Sequence, residues 1–273
     1  MLARALKEKW GGLALAQTEC QSSVMTEPPS AAEPVTTFAL EPWRELRSGV
    51  YLTVAQPESV NLGLIVGSQV TLLVDTGSSP AQGRALRASI NPVTDRPLAA
   101  VVVTHWHYDH AFGLGAFADV PRIAHESLHS RLTSAEAAAE AKRLGVDPAE
   151  LGQPTVELAV ATALDLGDRR VEIAHLGRGH TDGDLVIVVP DADVVFAGDL
   201  IESAGPPSFG DDSVPDEWPA TLDAVLGLMT ANTLAVPGHG QPVGREFVFE
   251  QRGQIAAEAA QMNEPPRPEI PLV

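Results

Sequence analysis

The stretch Thr104-His105-Trp106-His107-Tyr108-Asp109-His110 places four side chains that can bind a metal within six residues. His105 and His107 are two positions apart, so on the extended end of a strand both side chains would point to the same side. Asp109 and His110 follow directly, and a turn there would aim them at a neighbouring point. The spacing therefore favours two metal ions side by side over a single ion.

An apolar run at residues 98–103 precedes this stretch and is typical of a buried strand that leads into a loop at a sheet edge. Strand-like and helix-like segments alternate on both sides of it, which indicates α/β layers. The predicted strands cover residues 50–54, 60–66, 70–74, 98–103, 123–124, 155–160, 171–175, 185–189, 194–197 and 234–236. The predicted helices cover residues 80–90, 126–144, 219–229 and 246–262.

Two longer connections between these elements are predicted to be loops. Residues 145–154 form a loop or a lid, and residues 201–214 are rich in Gly, Pro and Asp. The second loop directly follows Asp199, so we expect it to overhang the candidate centre and to shape a pocket there.

The pattern His-x-His-x-Asp-His after a hydrophobic strand resembles the metal-binding motif of the metallo-β-lactamase superfamily. Four further elements match the family pattern in the order in which the family has them, between about residue 50 and residue 240. Asp75-Thr76-Gly77 is similar to the early Asp-Thr-Gly element, and His180 in Gly177-Arg178-Gly179-His180 to the third histidine. Asp199 matches the aspartate that bridges two metals, and His239 matches the last histidine.

This resemblance implies an α/β fold, an αββα sandwich of two mixed β-sheets flanked by helices, with the metals at one edge of the sheets. One metal would be bound by His105, His107 and His180, the second by Asp109, His110 and His239, and both by Asp199. Such ligands suit two zinc ions, with iron or manganese as alternatives. The family mechanism implied is attack by a metal-bridging hydroxide, with Asp109 as the catalytic residue that orients it or carries a proton.

The resemblance also restricts which of the family's activities are expected. Asp199 stands where the cysteine-ligand β-lactamases of the family carry Cys, and the histidine-only subclass lacks a bridging aspartate. His107 stands where flavodiiron proteins have Glu. The ligand pattern is closest to the glyoxalase II and lactonase-like branch, although the residues after Gly240 are expected to be too few for the helical glutathione-binding domain of glyoxalase II.

The function predicted on these grounds is hydrolysis of an acyl bond, in a lactone, an ester or a thioester, within a small-molecule substrate. An iron-dependent persulfide dioxygenase is the alternative, because such relatives keep most of these residues and bind one iron through two histidines and an aspartate. A binding module that retains its metals is the third hypothesis.

The composition argues against several classes of partner. The chain has 273 residues, 18 Lys and Arg against 36 Asp and Glu, and a net charge of −18. Such a surface repels nucleic acid and anionic membranes, and no apolar run reaches the roughly 20 residues of a membrane span. The single cysteine, Cys20, permits no internal disulfide and fits a cytoplasmic location.

The two ends of the chain are predicted to lie outside the folded domain. Residues 1–35 form a disordered or loosely attached tail, residues 36–262 the metallo-β-lactamase-fold domain, and residues 263–273 a proline-rich tail. Prolines and small residues between residues 26 and 34 suit a linker, and Met25 is an alternative start.

The sequence also contains a second metal-binding signature, His125-Glu126-Ser127-Leu128-His129, which matches the His-Glu-x-x-His helix of zinc proteases. Its first histidine falls at an expected strand-to-helix boundary, and a fuller ligand set is present elsewhere. We therefore interpret His125 as structural and His129 as a solvated helix residue. His175 is assigned to the core or to the surroundings of the ligands.

Three further residues have two interpretations each. Asp75 either hydrogen-bonds a ligand histidine or caps a turn. Trp106 and Tyr108 face either the pocket or the core, and their spacing does not decide between the two.

Overall fold

The computed structural model describes residues 38–263, so the predictions for residues 1–35 and for residues 264–273 lie outside the described part of the chain. Its strands are β1 (Arg44–Arg47), β2 (Val50–Ala55), β3 (Val60–Val66), β4 (Thr71–Val74), β5 (Leu98–Val102), β6 (Arg122–His125), β7 (Val156–Leu158), β8 (Ala161–Asp165), β9 (Arg170–His175), β10 (Leu185–Val189), β11 (Val194–Glu202) and β12 (Leu234–His239). Its α-helices are α1 (Pro80–Ile90), α2 (Tyr108–Ala111), α3 (Leu128–Leu132), α4 (Ala135–Arg143), α5 (Trp218–Leu228) and α6 (Arg245–Met262).

The strands form one hydrogen-bonded ladder that is divided into two sheets by a weak junction. At this junction, β3 and β12 are joined through a single residue pair, Val60 opposite His239. The first sheet contains β1 to β7, and the second contains β8 to β12. Each sheet mixes orientations, because β4–β5 and β11–β12 are parallel pairs while β3–β4 and β10–β11 are antiparallel.

The two sheets pack face to face around a shared apolar layer. Ile65 and Val102 from the first sheet are buried together with Ile187 and Phe196 from the second. The sheets approach so closely that a Cβ atom on Gly63 would lie 2.4 Å from Cε1 of Phe196. Burial of each such side chain contributes roughly 1.5–3 kcal/mol, so the layer strongly stabilises the contact between the sheets.

Helices cover both outer faces. The first sheet is covered by α1, α3 and α4, which bury Leu86, Leu128 and Ala141, and the second by α5 and α6, which bury Leu222 and Ile255. Within residues 38–263, no helix combines the length and the hydropathy of a membrane span. The predicted αββα sandwich of two mixed sheets is confirmed.

Helix α1 shows why its predicted bounds are matched. Ser79 precedes the helix in an extended conformation, and its side chain accepts a hydrogen bond from Gln82 N at 3.1 Å. Pro80 occupies the first turn, where its missing N–H is not needed. Both signals are local, so they act before any tertiary contact forms.

The helical region predicted at residues 126–144 forms two short helices rather than one continuous helix. Helix α3 ends at Leu132, and Thr133 Oγ1 donates back to His129 O at 2.9 Å. Ser134 then begins α4 by accepting a hydrogen bond from Ala137 N at 3.1 Å. A serine cap inside an alanine-rich run therefore outweighs the helical composition of the run.

The strand predictions were wrong where hydrogen bonding to a neighbouring strand, rather than apolar content, determines whether a strand forms and where it ends. Strand β8 was not predicted, since its residues are partly exposed and it is held by antiparallel pairing with β9. The strand predicted at residues 155–160 ends at Leu158. Strands β11 and β12 extend beyond their predicted ends to Glu202 and His239, because their parallel pairing continues past register shifts around Gly198.

Candidate metal centre

The loop after β5 carries four of the candidate ligands and is fastened to the end of β4. Asp75 N donates to Val102 O at 2.8 Å, and Thr76 Oγ1 donates to His110 O at 2.7 Å. The Asp75 carboxylate accepts from Thr104 N at 2.7 Å and lies 2.8 Å from His110 Nδ1. Of its two interpretations, the hydrogen bond to a candidate ligand histidine is therefore the one that the structure supports.

The other three candidate ligands belong to the second sheet. His180 lies in the loop after β9, which is braced by Thr181 Oγ1 donating to Asp184 Oδ1 at 2.7 Å. Asp199 lies within β11, and His239 is the last residue of β12. Gly238 is required beside them, because a Cβ there would lie 1.7 Å from Asp199 Oδ1.

The seven candidate ligands form two adjacent groups. In each group, the ligand atoms lie within 4.8 Å of one another. His105, His107, His180 and Asp199 form the first group, and Asp109, His110 and His239 form the second. The structure thus brings together every residue that the sequence singled out as a metal ligand.

Asp199 lies between the two groups. Its Oδ1 is 3.2 Å from His110 Nε2, in the second group. Its Oδ2 is 3.4 Å from His180 Nε2, in the first group, and 3.7 Å from His239 Nε2, in the second. A single carboxylate therefore faces ligand atoms of both groups, as a bridging ligand must.

Each of the five candidate ligand histidines has its outer ring nitrogen in contact with a protein oxygen. In the order His105, His107, His110, His180 and His239, the partners are Thr104 Oγ1 (3.1 Å), Asp212 Oδ2 (3.2 Å), Asp75 Oδ2 (2.8 Å), the Ser208 carbonyl (3.3 Å) and the Glu58 carbonyl (3.0 Å). Such contacts fix the ring orientation and turn the other nitrogen of each ring toward the candidate centre.

Three buried atoms inside the centre have no hydrogen-bond partner in the described part of the chain: His105 Nε2, His110 Nε2 and Asp199 Oδ1. A buried polar group without a partner costs about 1–3 kcal/mol, and three of them point into one small space. Nitrogen and carboxylate oxygen are donors that zinc accepts. The residues present therefore fit a metal centre.

The ionisation of these groups follows from burial and mutual charge. Burial lowers the pKa of His180 to about 4, and burial together with His110 lowers the pKa of His105. Burial would raise the pKa of Asp199, but His110 and the neighbouring histidines hold it well below its ordinary value. Neutral imidazole and ionised carboxylate are the forms that bind a metal.

Asp212 is a residue of this centre that the sequence did not single out. Its Oδ2 accepts a hydrogen bond from Trp106 Nε1 at 2.6 Å and lies 3.2 Å from His107 Nε2. Burial alone would lower the pKa of His107, but the contact with Asp212 raises it. The only sequence signal was the predicted overhang of residues 201–214, which contacts the centre through Ser208 as well.

A cavity of about 800 Å³ opens above the centre. Trp106 and Tyr108 both line it, which settles their orientation toward the pocket, although Trp106 is also largely buried. The cavity is lined by Glu58, Trp106, His107, Tyr108, Asp109, Glu136, Ala139, Glu140, Arg143, His180, Asp199, Glu202, Ser208 and His239. Helix α4 supplies four of these residues.

The segment at residues 145–154 contributes none of that lining, so its interpretation as a lid is not supported. Gly152 instead packs on Gly115, where an added Cβ would lie 2.7 Å from the Gly115 backbone. A short 3₁₀ helix, Pro148–Glu150, occupies the middle of the segment. The lining on this side of the cavity comes from helix α4, which directly precedes the segment.

The second metal-binding signature lies away from both groups of candidate ligands. His125 Nδ1 contacts Ser127 Oγ at 2.9 Å, and its ring is 4.4 Å from the ring of His175. His129 is exposed on α3. No third ligand joins these histidines in the described residues.

Comparison with known proteins gives one family. The sequence model of the metallo-beta-lactamase superfamily matches residues 55–239. The chain is 26% identical to the metallo-beta-lactamase type 2 of Bacillus sp. (strain 170), over 73% of each chain. It is 24% identical to the acyl-coenzyme A thioesterase MBLAC2 of Bos taurus, over 73% of this chain and 79% of the relative.

Among solved structures, a metallo-beta-lactamase from Pontibacter korlensis superposes with a TM-score of 0.67 at 21% identity. The superposition covers 83% of this chain and all of the other. At this level of identity, the likeness supports the fold.

Proposed function

The chain belongs to the metallo-beta-lactamase superfamily, and on that basis we propose that it is a dinuclear metal-dependent hydrolase that cleaves an acyl bond in a small molecule. The observation that carries the proposal is the position of Asp199, whose two oxygens face ligand atoms of both groups. A centre for one metal would not need a second complete group beside the first.

Seven residues would hold the two metals, with zinc as the expected ion: His105, His107 and His180 the first, Asp109, His110 and His239 the second, and Asp199 both. When bound, the metals would supply a Lewis acid for the carbonyl oxygen and lower the pKa of water towards ~7. The histidine contacts at the outer nitrogens keep the ligand rings in place.

Asp109 is the proposed catalytic residue. It lines the floor of the cavity, and its Oδ2 lies 3.2 Å from His239 Nε2. Burial would raise the pKa of Asp109, but His110 and His239 lower it, so the carboxylate is ionised and able to accept a proton. From this position it orients the attacking water and carries its proton toward the leaving group.

The thioesterase among the relatives supports an acyl bond as the target. Asp199 stands where the cysteine-ligand β-lactamases of the family carry Cys, which argues against that subclass. A cavity of about 800 Å³ suits a small molecule. The proposal favours the lactonase and glyoxalase II-like branch, and a cytoplasmic location fits the single cysteine, Cys20.

One assay on a metal-defined sample tests the proposal. The zinc content per chain is measured by plasma emission spectrometry, and kcat/KM is then compared for a lactone, a thioester and a bis-phosphodiester. We expect close to two zinc ions and the highest kcat/KM with a lactone or the thioester. A clear preference for the phosphodiester overturns the acyl assignment, and a single iron in protein purified from its own host favours the dioxygenase.

A further inference from the structure

Charged side chains form the wall of the cavity above the candidate centre. Glu58 comes from the turn between β2 and β3, and Glu202 is the last residue of β11. Glu136 and Arg143 lie on α4, together with Glu140 between them. The wall therefore carries four carboxylates and one guanidinium.

The one cation of the wall is already neutralised. Arg143 Nε lies 3.0 Å from both carboxylate oxygens of Glu140, and the guanidinium carbon lies 5.5 Å from the centre of the Tyr108 ring. Arg143 and Glu140 thus compensate each other, and the guanidinium is not directed at a ligand. Within residues 38–263, this wall has no unpaired cationic side chain that could bind an anionic substrate.

The other three carboxylates, those of Glu58, Glu136 and Glu202, make no ion pair with Lys or Arg in the described part of the chain. Glu202 accepts a hydrogen bond from Ala204 N at 2.6 Å, which does not cancel its charge. Of the four glutamates on the wall, one is paired with Arg143, so three unpaired carboxylates surround the cavity.

We propose that the substrate of this site carries a cationic group, a protonated or quaternary amine, in the part of the molecule that lies against this wall. The acyl group of the substrate would lie on the floor of the cavity, beside Asp109 and Asp199. The wall would therefore contact the part of the substrate that is attached to this acyl group. The rings of Trp106 and Tyr108 line the same space, and aromatic faces attract alkylammonium groups. The inference rests on the proposed function, because it names the substrate class of the same site.

The expected size of the preference follows from charge separation. In a solvent-accessible cavity, one carboxylate about 7 Å from a unit charge changes binding by about threefold. Three carboxylates acting together give a cation an advantage of about tenfold or more over a neutral group of the same shape. High salt screens such interactions, so the advantage shrinks at 1 M salt.

Matched substrates provide the test. Three thioacetates of equal length end in trimethylammonium, tert-butyl or sulfonate, so that only the charge remote from the carbonyl differs. We expect kcat/KM of the zinc-loaded protein to fall in that order, by about tenfold at the first step. Equal values, or a preference for the sulfonate, overturn the inference.

Variants connect the preference to the wall. Glu136→Gln and Glu202→Gln should each lower kcat/KM for the cationic substrate by about threefold relative to the tert-butyl substrate. Glu45→Gln removes the same charge on β1, which lines no part of the cavity, and should leave the ratio unchanged. A ratio that moves equally in all three variants would reflect net charge and contradict the assignment to the wall.

A binding measurement separates this inference from the proposed function. The Kd values of butyltrimethylammonium, 3,3-dimethylbutanol and butanesulfonate are compared by calorimetry on the zinc-loaded protein. If no ester or lactone is hydrolysed, the proposed function fails, and tight binding of the ammonium ligand still supports a cation-binding pocket. If the ammonium binds no better than the alcohol, the pocket inference fails whatever the turnover.

Discussion

At the scale of single residues, the candidate centre depends on side chains that hold other side chains. Asp75 has a φ of 61° and is buried, yet both of its carboxylate oxygens are used, one by Thr104 N and one by His110 Nδ1. Burial opposes a charge on His110, but Asp199, Asp109 and Asp75 raise its pKa well above the ordinary value. Substitution of one such partner would weaken metal binding indirectly, because the ligand side chain that the partner holds would be released.

The first prediction at this scale concerns Asp109. Asp109→Asn removes a charge at the second group and the proposed proton carrier, so kcat should fall by about 100-fold or more. The zinc content is measured on the same sample, which separates a loss of metal from a loss of chemistry. Full turnover in this variant would contradict the role assigned to Asp109.

The second prediction concerns Asp212, which holds His107 and Trp106. Asp212→Asn weakens the contact with His107 Nε2, and loss of such a partner costs about 10–100-fold in metal affinity. Competition with a chromophoric chelator measures the affinity. Asp211→Asn, at the exposed neighbouring residue, is the matched control and should leave the affinity unchanged.

At the scale of elements, the spacing between the two sheets decides whether the ligand groups meet. β5 leads into His105 to His110, while β11 and β12 carry Asp199 and His239, so the two groups draw on both sheets. Phe196 packs directly against Gly63 where the inner faces of the two sheets meet. A change in that contact would move one set of ligands relative to the other.

The prediction at this scale is that Gly63→Ala destabilises the protein. A Cβ would lie 2.4 Å from the Phe196 ring, and such overpacking costs about 1–3 kcal/mol. Urea unfolding measures the free energy of unfolding. Gly227→Ala in α5 is the control: its Cβ meets no atom within 4 Å, and alanine favours the helix by up to about 1 kcal/mol, so this variant should unfold no earlier than the wild type.

At the scale of the whole molecule, the centre joins the two sheets where the strand ladder is weakest. Only the pair Val60–His239 connects β3 and β12, although Asn61 Nδ2 also donates to Pro237 O and to Gly240 O at 2.9 Å each. Metals held by ligands from both sheets would add a cross-link at this junction. Stability and metal content should therefore change together.

The prediction at this scale is that a chelator lowers the melting temperature by about 5–10 °C, the shift expected when a ligand held at about 100 times its Kd is removed from a domain of this size. Zinc should restore both the melting temperature and the activity. Calorimetric scans with and without chelator give the shift. A melting temperature that stays the same after the metal is removed would contradict a cross-linking role.

How much of this could be predicted depends on the range of the interactions. The bounds of α1 were predicted from its helical composition, and the local cap at Ser79 and Pro80 agrees with them. The layered fold followed from the alternation of strand-like and helix-like segments. The break at Ser134, the edge strand β8 and the full length of β11 were missed. In each, a hydrogen bond or a strand pairing decides between conformations that composition leaves nearly equal in free energy.

The same division applies to the centre. The spacing of residues in the sequence by itself indicated His105, His107, Asp109 and His110, because four such side chains within six residues have few uses other than metal binding. The resemblance to the family added His180, Asp199 and His239 and implied that Asp199 bridges. Only the tertiary structure decided that Asp212 holds His107 and that α4 contributes to an acidic wall above the centre. His107 and Asp212 are 105 positions apart in the chain, and the wall joins α4 to Glu58 and Glu202. Side chains so distant in the chain meet only once the two sheets have packed.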